Sequence, residues 1–473
     1  MHSLPTPPAL IRPAFALLAV FLCSCGERRP PDRAWDMLAV GLPAEATPRV
    51  AMLNMGYYLL RQTHRPLFDL QSDGRFSSRL LERWTRAIDS TSYVLCPAGG
   101  LRFDASRPFD RDYLARFLRA RATTLDPRAA ISEEGACVRV ALTRNGDRFL
   151  PFFADMANAP TVTTPDPKVE LGLGDFRAET VSSDRIVLSR KETVTDGYEK
   201  VVMHAHSGAD DPRLEDRGVE DMNRVLLQDL PDWVKTSYDD YGVTLLQSVN
   251  LLIDAPDPAT RRLVHGCLDV DRFRRAFMPR QRDFADIATI LPLGLPGARA
   301  ERPSQRCPST KVRAGAPALT FGNWNRGNEE GLRAEFIRLS AATGLRFDVK
   351  TLSQDDFVKQ ILSTRRTFDL SVIALDATSP DYAAFYGPVV GDRGRFARVA
   401  LPQARALLDL LSSEADAKRL SRDVAELDAL LAGEGLVLPL YQETRTFYYP
   451  KGLKGLELGN NFLEYPDIGQ IRF

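Results

Sequence analysis

The run Leu370-Ser371-Val372-Ile373-Ala374-Leu375, followed at once by Asp376, constrains this chain more than any other stretch. Its apolar and β-branched content suits a strand covered on both faces better than a surface helix. The run stops at Asp376, and Ala377-Thr378-Ser379-Pro380-Asp381 is turn chemistry. The pattern therefore predicts an acid at the carboxyl end of a buried strand, where open α/β sheets receive ligands. Two roles follow for Asp376: capping the turn through a backbone N–H, or contacting a ligand.

The flanking sequence alternates strands and helices. Ala318 to Phe321 reads as a short strand, and Leu332, Phe336 and Leu339 fall on one face of a helix that Gly344 can end. Leu345, Phe347 and Val349 alternate as a strand does. Ser353 can cap a helix whose first turn carries Asp355 and Asp356 and whose inner face carries Phe357 and Ile361. With the run at 368–375 this makes a βαβαβ order and a parallel-sheet lobe. Leu420, Val424, Leu427 and Leu431 give another amphipathic helix, stopped by Gly433 and Gly435, before the buried strand Leu436 to Leu440.

The chain opens on a processing signal. Arg12 precedes the apolar core Pro13 to Leu22, which is too short to span a bilayer permanently. Leu22-Cys23-Ser24-Cys25 resembles a bacterial lipobox with Cys25 as the lipidated residue; an ordinary secretory signal and an uncleaved anchor are the competing readings. Gly26 to Asp32 reads as a tether. The whole chain has 473 residues, too many for one core, so two or three lobes are expected. Its 62 Lys+Arg against 62 Asp+Glu argue against a nucleic-acid partner.

Beyond the signal, Cys96, Cys137, Cys267 and Cys307 form an even set in an oxidising compartment. Sequence proximity favours Cys96–Cys137 and Cys267–Cys307 among the three possible connectivities, each closure stabilising by roughly 3–4 kcal/mol in the chain-entropy model. The cysteine spacing does not resemble a zinc site. His204 and His206 would share one face of a strand; they either chelate a metal or sit on an exposed strand face, and no further ligand nearby completes a metal sphere. His265 beside Cys267 suggests a nucleophile pair only if that cysteine is free. No catalytic constellation emerges, so a non-enzyme without metal or cofactor is expected.

An ordered set of segments resembles the family 5 extracellular solute-binding proteins, the oligopeptide-, dipeptide- and nickel-binding components of ABC importers. The set begins with His64-Arg65-Pro66-Leu67-Phe68, Asp73-Gly74, Leu80 to Trp84, Asp89, Tyr93, Leu101-Arg102-Phe103 and Pro108-Phe109. It continues through Gly172 to Phe176, Arg185 to Leu188, Gly218 to Met222, Arg261 to Leu263, Asp269 to Phe273 and Leu291 to Gly294. The segment from Gly344 to Leu370, then Asp376, Pro380, Asp381 and Phe385, keeps the family's spacing in its second lobe.

The resemblance implies an α/β, two-lobed periplasmic-binding-protein fold of class II, with the extra subdomain of the peptide-binding group. It divides the chain into a signal peptide and lipobox (1–25), a tether (26–33), the start of lobe 1 (34–52), an extra subdomain (53–170), lobe 1 continued with the hinge (171–312), lobe 2 (313–445) and a return to lobe 1 (446–473). It implies a monomer exported to the periplasm or cell envelope, lipid-anchored to a membrane, that captures a peptide or related small solute and passes it to importer permease subunits. A metal or metallophore receptor and a transport-independent peptide sensor or chaperone are the alternatives. By position, Asp376 becomes the partner of a ligand's α-amino group, a task that suits a carboxylate. Trp324, Asn325, Tyr382, His64 and Arg65 are further ligand-binding candidates, with Arg65 standing where the family has an acid. Arg398, with Arg393 and Arg395, is a candidate for a ligand carboxylate or else part of a solvated face. Trp324 reads equally as a core or rim residue.

Overall fold

In the computed structural model the residues described are 34–39, 42–52, 54–70, 75–89, 91–144, 146–192, 194–205, 218–221, 238–279, 284–293, 295, 297–302, 307–308, 318–324, 328–361, 363, 366–376, 382–390, 396–397, 399–411, 417–450, 454–455 and 467–472. The signal, Cys25 and the tether lie outside them, as do His206, Asn325, Arg393, Arg395 and Arg398.

One sheet of eleven strands among these residues runs through both lobes. The first lobe contributes β1 (Ala34–Ala39) and, after the extra subdomain, β6 (Phe176–Val181), β7 (Arg185–Arg190), β8 (Lys200–Ala205) and β9 (Gly218–Asp221). β10 (Tyr238–Ile253) crosses to the second lobe. There follow β11 (Phe284–Ala285), β12 (Leu319–Trp324), β13 (Phe347–Leu352) and β14 (Leu370–Asp376), and β15 (Val437–Pro450) crosses back. The order is β6-β7-β8-β1-β9-β15-β10-β14-β12-β13, with β11 paired to β15. In the first lobe, β1, Met55 to Leu60 of helix α1 (Asn54–Thr63) and the final segment with Ile468 and Ile471 share one core.

The extra subdomain is a four-stranded antiparallel sheet, β2 (Leu81–Arg86), β3 (Ser92–Pro97), β5 (Cys137–Ala141) and β4 (Ala130–Glu134), in that spatial order. Helix α2 (Arg111–Leu125) packs on it, and Asp110 caps its first turn by accepting from the Tyr113 N–H at 2.8 Å. Phe68, Phe103, Phe109, Phe149 and Phe153 fill this core. The Cys96–Cys137 disulfide joins β3 to the start of β5.

The second lobe explains why the run at 370–375 is apolar on both sides. Leu370 and Val372 enter a core shared with α3 (Pro258–Cys267), α4 (Val270–Phe277) and α5 (Glu329–Thr343). Ile373 and Leu375 enter another, shared with α6 (Gln354–Ile361), α7 (Tyr382–Val390), α8 (Pro402–Leu411) and α9 (Ala417–Gly433). Two helical layers therefore sandwich the strand, and alternation disappears from its sequence. Gly344 ends α5 in the left-handed region at φ 78°, where a side chain would be strained. Ser353 caps α6 through the Asp356 N–H.

The stretch 171–312 is expected to hold the rest of lobe 1 and the hinge, and within it Val249, Leu251, Leu263 and Phe273 are buried with Leu319, Phe321, Leu332 and Phe336. β10 delivers its last residues and two helices to that core. The Cys267–Cys307 disulfide tethers the end of α3 to the chain leading back to β12.

Candidate functional site

Strand directions in the two lobes meet head to head. β12, β13 and β14 are parallel, and β14 runs antiparallel to β10 so that its last residue, Asp376, pairs with Gln247. β1, β8 and β9 are parallel in the first lobe, and β9 runs antiparallel to β15, ending with Asp221 opposite Thr446. Carboxyl ends of both parallel groups therefore point at one seam, the place where the order of an α/β sheet favours ligand binding. The seam is bridged by β10 and β15, which pair from Tyr238↔Pro450 to Leu252↔Val437.

Their register breaks between Val243 and Gln247, opposite the step from Arg445 to Glu443. An irregularity in a two-stranded crossing is a natural place to absorb backbone rotation. Asp376, Gln247 and Glu443 occupy adjacent positions on three strands at that break. The sequence reading puts Asp376 at the end of a buried strand; the fold adds that this end lies beside the register break of the crossing strands.

The other candidates are distributed unevenly. Trp324 is the last residue of β12, half-buried, with its ring 5.2 Å from Phe357 in an edge arrangement. Tyr382 opens α7, is buried in the core behind β14, and burial pushes its phenol up to about 12. The neighbour of Arg398, Val399, donates to Asp254 at 3.2 Å, just past the end of β10 that lies away from the seam. His204 Nε2 donates to the Asp36 carboxylate at 2.9 Å on the adjoining strand.

His64 and Arg65, ligand-binding candidates from the sequence, are both enclosed within the first lobe. His64 is fully buried, its Nδ1 lies 2.8 Å from the Thr63 hydroxyl, and burial with the nearby Lys191 charge pushes it down to about 3. Arg65 is 4% exposed and is held by Asp175 at 2.9 Å, Asp467 at 3.1 Å and the Arg61 carbonyl at 2.7 Å. The charge reversal at this position is answered inside the lobe, by acids brought from far along the chain. Asp467 joins Arg61, Arg65 and Arg79, whose charges outweigh the effect of burial and hold its carboxyl below the ordinary range.

Two buried groups escaped the sequence reading. Arg366 and Asp254 form an ion pair at 2.7 Å with both side chains 1% exposed. Asp428 accepts from the Tyr386 hydroxyl at 3.0 Å inside the second lobe. A signal for Asp428 was present: it stands four residues after Val424 and one after Leu427, within the apolar stripe of α9. Among the described residues no group of three His, Cys, Asp or Glu is placed to hold a metal, and no helix is long and apolar enough to cross a membrane.

No family model matches this chain, and no curated protein matches it. Solved structures do. Haemophilus influenzae OppA in complex with RPPGFSPFR aligns with a TM-score of 0.77 at 10% identity, covering 94% of this chain and 99% of that one. A dipeptide-binding protein from Pseudoalteromonas in complex with Met-Leu aligns with a TM-score of 0.77 at 14% identity, covering 93% and 99%. The Escherichia coli murein tripeptide-binding protein MppA gives 0.76 at 13% identity, covering 93% and 98%. Strand order and likeness agree on the architecture: the chain has the two-lobed periplasmic-binding-protein fold of the peptide-binding group.

Proposed function

We propose that this protein is an exported, lipid-anchored solute receptor that closes two lobes on a peptide or related small solute and hands it to an ABC importer. The observation that carries the reading is the seam itself. Parallel strands from both lobes end there, and the strands joining the lobes lose register beside Asp376. That arrangement suits hinge closure on a ligand and calls for no covalent chemistry. The likeness to proteins solved with RPPGFSPFR and with Met-Leu supports a peptide as the solute class. Asp376 supplies the carboxylate for the ligand's ammonium group, which once desolvated needs opposite charge and hydrogen-bond acceptors together. Lipidation at Cys25 holds the receptor at the membrane.

Native mass spectrometry of protein purified from its host, followed by denaturing release, tests the reading. Short peptides recovered from the wild type and at least tenfold depleted in Asp376→Ala are the expected result. A single non-peptide mass or a metal complex would redirect the reading to a specialised receptor of the same fold. Peptides retained equally by Asp376→Ala would remove that residue from the site.

A further inference from the structure

One end of the extra subdomain carries a basic collar around an apolar tip. Between β2 and β3 the chain turns at 87–91, where the Ala87 N–H donates to the Ser92 carbonyl at 2.9 Å and Ile88 stands fully exposed. A single exposed aliphatic side chain is ordinary on a protein surface; the surroundings of this one are not. The Leu142 N–H, just past β5, donates to the Thr91 carbonyl at 2.7 Å. Asp126, buried at the end of α2, accepts from the Thr143 hydroxyl at 2.9 Å, the Arg144 N–H at 3.2 Å and the Arg128 N–H at 2.9 Å. The hairpin turn, the chain after β5 and the end of α2 therefore form one continuous surface. Arg128 and Arg144 are exposed on it, and Arg119 is exposed on α2 as the helix approaches. The acids of this end are engaged. Asp126 is held as above, Asp147 pairs with Arg86, and Asp89 accepts from the Thr91 N–H at 3.0 Å and its hydroxyl at 2.8 Å. At the opposite end of the same sheet charge is balanced pair by pair, Arg111 with Asp112 and Glu133, and Arg139 with Glu134.

We propose that this end of the extra subdomain rests on an anionic phospholipid surface, with Ile88 entering the interface and Arg119, Arg128 and Arg144 meeting headgroup phosphates. The shape selects the partner. One apolar side chain in a polar ring is too small a core for a stable protein interface. A bilayer asks for no more than that: an apolar group at the acyl boundary and cations level with the phosphates. Arginine suits the second task because its planar fork matches phosphate oxygens. Each such cation strengthens binding to an anionic surface by roughly fivefold. The attraction fades within roughly 10 Å at about 0.1 M salt, so only cations on this end contribute. The contact depends neither on the solute held at the seam nor on an acyl chain at Cys25. Together with that anchor it makes a second point of attachment and so orients the receptor on its membrane.

Co-sedimentation with vesicles tests it, using the chain begun at Gly26, which keeps every described residue and carries no lipid. Binding is expected to vesicles of mixed phosphatidylglycerol and phosphatidylcholine at low salt, and not to phosphatidylcholine alone. Arg128→Gln with Arg144→Gln should weaken it by roughly twentyfold, and Ile88→Asn by roughly tenfold. All three side chains are exposed, and the backbone bonds to Asp126 survive the arginine changes. Arg333→Gln with Arg405→Gln removes two exposed cations of the second lobe and should leave binding unchanged. An environment-sensitive fluorophore at Ile88→Cys should shift to the blue when anionic vesicles are added. Equal binding to phosphatidylcholine alone, no binding to the mixed vesicles, or an equal loss in the second-lobe variant would overturn the contact. Wild-type affinity in Ile88→Asn together with a fluorophore that stays in water would overturn the insertion of the tip.

Discussion

The two lobes bury charge in opposite ways. In the first, Asp467 lies among Arg61, Arg65 and Arg79, with Asp69 and Asp175 balancing the cations and the cluster reaching solvent at Arg79. In the second, Arg366 and Asp254 pair in the interior, and Asp428 accepts from a phenol. Burial is similar for Asp467 and Asp428, both 5% exposed, yet one carboxyl is held low and the other is pushed up to about 7. The difference lies in the neighbours, since burial acts on both in the same direction. A group held low contributes stability above its unfolded value that is lost as pH falls through the folded one; a raised group does the reverse. The first lobe is therefore expected to weaken in acid, and the second to lose the contribution of Asp428 as pH rises through about 7.

The sharpest way to break this comparison is Arg366→Ala. It takes the Arg366 cation from the buried Asp254 and also removes the donor to the Ile361 carbonyl. Denaturant unfolding should show a loss of about 3–5 kcal/mol. Asp467→Asn is expected to cost less, about 1–3 kcal/mol, because Arg65 keeps Asp175 and Arg79 reaches water. Its diagnostic is pH: wild-type stability should fall as pH drops toward and below the ordinary carboxylate range, and the variant should follow a flatter curve. Equal acid sensitivity in the two proteins would show that Asp467 is not the group responsible. Arg405→Ala sets the baseline. It removes an exposed pair with Asp409 one helical turn away, and the unfolding free energy should change by no more than about 0.5 kcal/mol.

Legibility followed the range of the interaction. The strand at 370–376, the caps of α5 and α6, and the stripe of α9 were readable because each is written in residues a few positions apart. α7 was not anticipated: its residues Tyr382 to Val390 are apolar all round and carry a proline, so they show no helical period. The enclosure of Arg65 was not legible because its partners Asp175 and Asp467 lie 110 and 402 positions away, distances that no local pattern encodes. The packing of Phe273 against Phe321 and Phe336 was hidden for the same reason, since they meet only once β10 has crossed.

What the amino-acid sequence determined by itself is the strand-and-helix alternation of 318–376, the helix α9 and the end of the strand at Asp376, because apolar periodicity, caps and turn residues act within one element. Only the tertiary structure decided which strand ends face each other, where the crossing strands lose register, and whether a buried acid meets arginines or a phenol. Those outcomes depend on pairings between distant segments, and the ionisation of Asp467 and Asp428 is a property of the surroundings those pairings create.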